Sequence, residues 1–151
     1  MSGGSARLDD MAVGALQDVL STEHAALWCY SLAVAFLPPA QVATARTDAA
    51  AHRELRAQIE VTLTQLGQRP VSAQPAYATP QPVTDAGSAA GLLVTAETDA
   101  AAAWRSVLER SADRALRRAG LQALTDTATR CARWRAVVGT RPAVPVFPGR
   151  P

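Results

Sequence analysis

The sequence predicts an all-α fold, a four-helix bundle with a long proline-rich crossover between its second and third helices. Three observations carry this expectation. Alanine fills 33 of the 151 positions and aromatic residues make up only 5%. Ala has the highest intrinsic helix propensity, whereas an all-β chain of this length would need far more Val, Ile, Thr and aromatic residues. Apolar residues recur at alternating spacings of three and four along four long stretches, the period of a helix face turned toward a core. The prolines fall between those stretches or at their first turn. A chain of this length holds one domain with one sizeable core, divided here into a bundle over 1–139 and an extended tail over 140–151.

The first helix is expected from Leu8 to Leu37. It stops at Pro38-Pro39, because proline has no amide hydrogen and pushes the residue before it out of the α region. The second starts at Pro39 or Ala40, since proline is acceptable in a first turn, and runs to Gly67-Gln68, with Arg69-Pro70 ending it. The third begins after Thr84 or Asp85, either of which can accept hydrogen bonds from the first free amides, and runs to Arg110. The fourth is expected from Ser111–Asp113 to Gly139. Residues 109–113 would also continue as helix, and a turn there follows only from the need to fold back.

Arg69 to Val83 contains Pro70, Pro75, Pro80 and Pro82 and has no helical or strand period. At ~3.1 Å per residue a polyproline-like path gives it a reach of roughly 45 Å, while helices of about 25 to 30 residues are roughly 40 Å long. The segment can therefore run the whole length of the bundle, in place of a simple up-down-up-down connection. Val144, Val146 and Phe147 of the tail are expected to pack on the bundle or on a partner.

Phasing each helix by its apolar residues exposes a polar layer. The first seam is Leu16, Leu20, Glu23, Leu27, Tyr30, Val34 and Leu37, with Glu23 its one charge. The second, Ala45, His52, Leu55, Ile59, Leu63 and Leu66, contains His52. The third, Leu93, Glu97, Ala100, Trp104 and Val107, contains Glu97. The fourth, Leu116, Gly120, Leu124, Thr127, Cys131, Trp134 and Val138, has neither carboxylate nor imidazole. Glu23 lies 14 residues before Leu37 and His52 13 residues after Pro39, so both sit ~20 Å from the same turn. Glu97, 14 residues before Ser111, falls level with Leu124 to Thr127 across the next turn. Three ionisable groups from three helices are thus expected in one layer of the core, where a carboxylate is rare unless paired.

Two chemistries fit that layer. One is a satisfied buried network, with Glu23 and Glu97 bonded to His52 and joined by Tyr30, Thr127 or an arginine such as Arg56. The other is a metal site, since carboxylates and imidazole from facing helices suit iron, manganese or zinc. A di-metal centre asks for a Glu on each of two helices and Glu-x-x-His on each of the others. Here Ala49 stands three residues before His52, and the fourth helix offers only Asp126, off the seam, with Thr129 three residues on. The metal alternative is therefore a mononuclear set of Glu23, His52 and Glu97.

The neighbours of these residues are read as bystanders. Asp48, one turn before His52, is read as a solvated carboxylate at the edge of the seam, with an orienting bond to His52 as the alternative. His24 is read as half-exposed on the flank that carries Trp28, and Glu54 as facing water. The arginines of the fourth helix (Arg114, Arg117 and Arg118, then Arg130, Arg133 and Arg135) are read as a solvated face. Acidic residues dilute them and the net charge is only +2, so no nucleic-acid partner is expected. There is no Gly-x-Ser-x-Gly, no Cys paired with a suitable His and no glycine-rich phosphate loop. Cys29 and Cys131 lie in helix interiors and are read as reduced thiols. The start, Met-Ser-Gly-Gly-Ser, lacks the features of a signal peptide, and the apolar run before Pro38 is too short to span a bilayer. A cytoplasmic protein without membrane contact is expected.

Glu23-His24-Ala25-Ala26 followed by Tyr30, Ala51-His52-Arg53, Gln74-Pro75-Ala76-Tyr77-Ala78 with Val83-Thr84-Asp85, Arg133-Trp134-Arg135 and Phe147-Pro148-Gly149 recur in order along nearly the whole chain. Together they resemble a ferritin-like domain-of-unknown-function family found mainly in actinobacteria. The resemblance implies a ferritin-like four-helix bundle and no established activity. Relative to metal-binding ferritin-like proteins the chain keeps a helix-one Glu, one His and a helix-three Glu, and it lacks both Glu-x-x-His pairs. The functional expectation is a non-catalytic bundle that acts through association with itself, as a homodimer suited by its Ala-rich faces and apolar tail, or with a protein partner through that tail. The alternative is a metalloprotein in redox or metal handling.

Overall fold

The computed structural model of the chain describes residues 8–150, so the opening Met-Ser-Gly-Gly-Ser and the final Pro151 lie outside the described residues. Four helices follow in order: α1 (Asp10–Ala33), α2 (Pro39–Gln65), α3 (Ala86–Arg110) and α4 (Arg114–Val137). α1 packs on α2 and α3, and α3 packs on α4. No strand is present among the described residues.

Local chemistry sets each boundary. The Asp9 carboxylate accepts the Ala12 amide at 2.8 Å and opens α1, as N-caps do for the free amides of a first turn. α1 ends four residues short of the expected Leu37. The amides of Ala35 and Phe36 turn to carbonyls three residues back, on Leu32 and Ala33, and the chain tightens before Pro38, which offers no amide. α2 opens on Pro39 itself. Its end is a Schellman closure: Gln68 donates to the Leu63 carbonyl and Gly67 to Thr64, with Gly67 at φ +73°. α4 closes the same way at Gly139. Gly67→Ala should therefore cost about 1 kcal/mol, the penalty of a Cβ in the left-handed region; an unchanged denaturation midpoint would show that this turn is not held.

Between α3 and α4 the chain breaks, as folding back requires. Ser111 is extended at φ −124° and ψ 134°, and Asp113 caps α4 by accepting the Leu116 amide at 2.8 Å. Arg117 fastens the corner by donating to the carbonyls of Leu108 and Ser111. α3 itself opens on a reciprocal cap between Asp85 and Ser88.

The crossover traverses the bundle. Val71 packs with Leu16 and Leu63 at one end, while Val83 packs with Tyr30, Leu37 and Ala45 at the other. α1 guides it. Gln17 donates to the Arg69 carbonyl at 2.8 Å and accepts the Val71 amide at 2.9 Å, His24 reaches the Val71 carbonyl at 3.0 Å, and Trp28 meets Tyr77 with ring centroids 6.0 Å apart. His24 is thereby buried, not half-exposed as its place in the helical period suggested, because the crossover covers that flank.

Of the two places expected for Val144, Val146 and Phe147, the bundle or a partner, the bundle is not the one they take; Val146 is 82% exposed. The tail is instead anchored through its backbone. Arg135 donates to the Pro142 carbonyl at 3.2 and 2.8 Å, and Gly149 sits so close to α3 that a Cβ would lie 2.8 Å from the Ala101 carbonyl oxygen. The side chains between these anchors face outward.

Candidate functional site

Apolar clusters fill both ends of the bundle, around Leu16, Leu63 and Val107 at one end and Leu37, Ala45 and Leu93 at the other. Between them lies a polar layer to which each helix contributes: Glu23 from α1, His52 from α2, Glu97 from α3 and Arg130 from α4. The first three are fully buried, and Arg130 is 6% exposed. The matched heights of the helices place Glu23, His52 and Glu97 in direct contact.

His52 stands between the two glutamates. Its Nδ1 is 2.6 Å from Glu23 Oε2 and its Nε2 is 2.9 Å from Glu97 Oε1. Ionised carboxylates only accept, so both ring nitrogens donate and the ring is an imidazolium. Burial alone would pull its pKa down, but the hydrogen bonds and charges of Glu23 and Glu97 outweigh this and raise it to about 9. Glu23 is completed by the Trp104 indole, which donates to Oε1 at 2.9 Å. Glu97 Oε1 also accepts from the Tyr30 hydroxyl at 2.6 Å and from Arg130 Nε at 3.1 Å, and that Nε lies 3.2 Å from Oε2. Burial works to raise the Glu97 pKa, yet His52, Arg130 and Tyr30 hold it below the ordinary carboxylate range. Arg130 Nη2 donates to Thr127 at 3.0 Å.

Further polar groups adjoin the layer at the end near Ala45. The Tyr30 oxygen accepts from Trp134 Nε1 at 3.0 Å, and the same indole points at Asp48 Oδ2 at 3.0 Å. Arg133 Nη1 donates to both Asp48 oxygens at 3.0 Å. The network thus holds three carboxylates, Glu23, Asp48 and Glu97, against three cations, His52, Arg130 and Arg133. Burial, chiefly, and the two neighbouring carboxylates push the Tyr30 hydroxyl far above its ordinary pKa, so it stays a donor at any pH the fold survives.

Several sequence expectations are corrected here. Asp48 is neither solvated nor bonded to His52; it is buried between Tyr30, Trp134 and Arg133. The arginine that joins the network is Arg130, not Arg56, and the α4 arginines are not a solvated face throughout, because Arg130 is in the core and Arg133 is paired. Glu54 does face water. The spacing of Thr127, Arg130 and Trp134, three and four apart, admits Arg130 to the seam without preferring it to Cys131.

The donor set does not fit the metal that a ferritin-like fold implies. Metal ligation needs an imidazole nitrogen free of its proton and carboxylate oxygens aimed at a common point. Both His52 nitrogens are instead spent on carboxylates, Glu97 Oε1 already takes three donors, and a guanidinium fills the α4 corner. No cluster of three His, Cys, Asp or Glu in ligating geometry occurs among the described residues. Glu23, His52 and Glu97 themselves do not reach a surface. Grooves of about 840 and 380 Å³ flank the crossover, the larger beside Pro80, Thr84 and Val138 and the smaller beside Tyr77, Thr95 and Asp99, and neither is lined by Glu23, His52 or Glu97. Both cysteines are buried free thiols, and burial, chiefly, with the nearby Asp99 charge pushes Cys29 up to about 11, leaving it unreactive.

Comparison with known proteins agrees with this architecture. A family model described as a domain of unknown function (DUF4439) matches residues 15–151. The crystal structure of a conserved hypothetical protein from Mycobacterium tuberculosis is 33% identical, covers 91% of this chain and 97% of its own, and superposes with a TM-score of 0.83. Structures described as ferritin-like, diiron-carboxylate proteins from Bacillus anthracis share the fold at a TM-score of 0.73, with 12% identity over 84% of this chain and 94% of theirs. No protein with a curated description matches. No helix among the described residues is long and apolar enough to cross a membrane.

Proposed function

The chain belongs to the DUF4439 family, and on that footing we propose that it is a non-catalytic ferritin-like bundle that acts through self-association, with its polar layer serving to fix helix register. One observation carries the reading: both ring nitrogens that a substrate or metal would use on His52 are already taken by Glu23 and Glu97, and all three residues are fully buried. A buried, paired network selects one helix alignment over its slipped alternatives, since a slip of one residue would leave charges unpaired in the core. Function is then left to the surface.

There the tail supports a homodimer. Val144, Val146 and Phe147 are large, apolar and each more than 60% exposed, yet the backbone that bears them is fixed at Pro142 and Gly149. Apolar side chains held out on a fixed frame lose little freedom when they dock, which favours association. Two buried thiols agree with a reducing, cytoplasmic setting. Light scattering on the full chain should give twice the 15.8 kDa of one chain, and Val144→Ser, Val146→Ser and Phe147→Ser together should return it to the single mass. A single mass for the unaltered chain, or a dimer indifferent to the triple change, would overturn the self-association.

A further inference from the structure

We infer that Arg130 is the resident cation of the polar layer and the residue that keeps divalent metal out of it. Three of the four corners carry ligand chemistry: a carboxylate on α1, an imidazole on α2 and a carboxylate on α3, joined within 2.9 Å. The fourth carries a guanidinium. Arg130 is almost wholly buried, and its Nε and Nη2 are held by Glu97 and Thr127. A guanidinium cannot lose its proton in a protein and cannot ligate.

The exclusion has two parts. Arg130 Nε lies against both Glu97 oxygens, so Glu97 could turn to a metal only by leaving an almost wholly buried guanidinium without its counter-charge, which is unfavourable. It also places a fixed positive charge against Glu97, and a divalent ion there would be repelled in a medium that screens poorly. Without the guanidinium, Glu97 would face a cavity the size of the lost side chain with its charge less balanced, and a divalent ion entering there could take Glu97 and displace the proton on the adjacent His52 Nε2. The ion would then meet an imidazole and a carboxylate on one side of the ring, with Glu23 on the opposite edge holding Nδ1 and orienting it.

This inference rests on the metal-free reading above, and the test separates the two. The full chain, Arg130→Ala and Arg130→Ala with His52→Gln are titrated with Co2+ and followed by visible absorption, with thermal midpoints recorded with and without Zn2+. Arg130→Ala is expected to take up one Co2+ per chain with a ligand-field spectrum and to rise in midpoint with Zn2+, while the unaltered chain and the double variant do neither. Arg130→Met, which removes the charge but refills the space, should bind more weakly than Arg130→Ala. If Arg130→Ala folds only when Zn2+ is supplied, in a His52-dependent way, the inference stands; if it stays unfolded with Zn2+, or folds and binds no metal, the inference falls while the metal-free reading survives. Uptake of Co2+ by the unaltered chain, lost in His52→Gln, would overturn both.

Discussion

Glu97→Ala should lower the unfolding free energy by about 3–5 kcal/mol, the usual cost of removing one partner from a buried ion pair. Glu97 is the hub of the layer, because one oxygen takes the Tyr30 hydroxyl, His52 Nε2 and Arg130 Nε together. Truncation takes the counter-charge from a nearly buried guanidinium, leaves one imidazolium nitrogen unpaired in the core, and leaves a cavity besides. Glu97→Gln should fall between, since an amide oxygen still accepts but carries no charge. The informative partner is Glu97→Leu with Arg130→Met. Replacing both charges by apolar groups of similar volume is often neutral or better, so the double variant should be more stable than Glu97→Ala, with a non-additivity expected for residues in contact. Guanidinium unfolding at neutral pH reads all of these. A loss below about 1 kcal/mol for Glu97→Ala would mean that Arg130 reaches solvent when its partner is gone.

The sequence made the bundle readable because its punctuation is chemical: prolines at 38, 39 and 70, capping aspartates at 85 and 113, and glycines at 67 and 139 that close helices with left-handed turns. Glu23, His52 and Glu97 were legible because each interrupts an apolar seam, and counting residues from shared turns set them at one height. Arg130 and Asp48 were passed over for one reason. On α4 the steps from Thr127 to Trp134 satisfy the three-four spacing through Cys131 or through Arg130, and on α2 the step from Ala45 to His52 passes through Asp48 or Ala49. Periodicity cannot rank a charged residue above an apolar one at an equivalent position; only the charge left unbalanced by Glu23 and Glu97 could have asked for a buried arginine. His24 was misjudged for a different reason, since the period of α1 carries no record of where the crossover lies. The outward Val146 and Phe147 were equally hidden, because the tail is fixed by carbonyl and glycine contacts that leave no pattern in apolar residues.

Stability should fall by about 3 kcal/mol as pH rises from about 6.5 to 9, at a slope approaching 1.4 kcal/mol per pH unit within that window. His52 titrates at 6.5 when its surroundings are ordinary and at about 9 in the folded chain. A group whose pKa is raised by folding stabilises the fold in full below its unfolded value, where both states are protonated but only the folded one holds the ring between Glu23 and Glu97. That contribution is lost as pH rises toward the folded value, because the unfolded chain is already neutral while the folded chain must give up its proton. Cys29, the other group with a large rise, has an ordinary value of 9.0 and is pushed to about 11, and Tyr30 lies higher still, so both act above the window. Glu97, held below its ordinary value, loses its contribution only in acid. Urea midpoints measured at closely spaced pH values should therefore decline across the window in the parent chain. In His52→Gln they should start lower and stay level, because glutamine has no proton to lose there. A level profile in the parent would mean that the ring is neutral in the fold, with one nitrogen free of its proton, and the closed ion layer drawn from the 2.6 and 2.9 Å contacts would have to be replaced by one in which a carboxylate carries that proton.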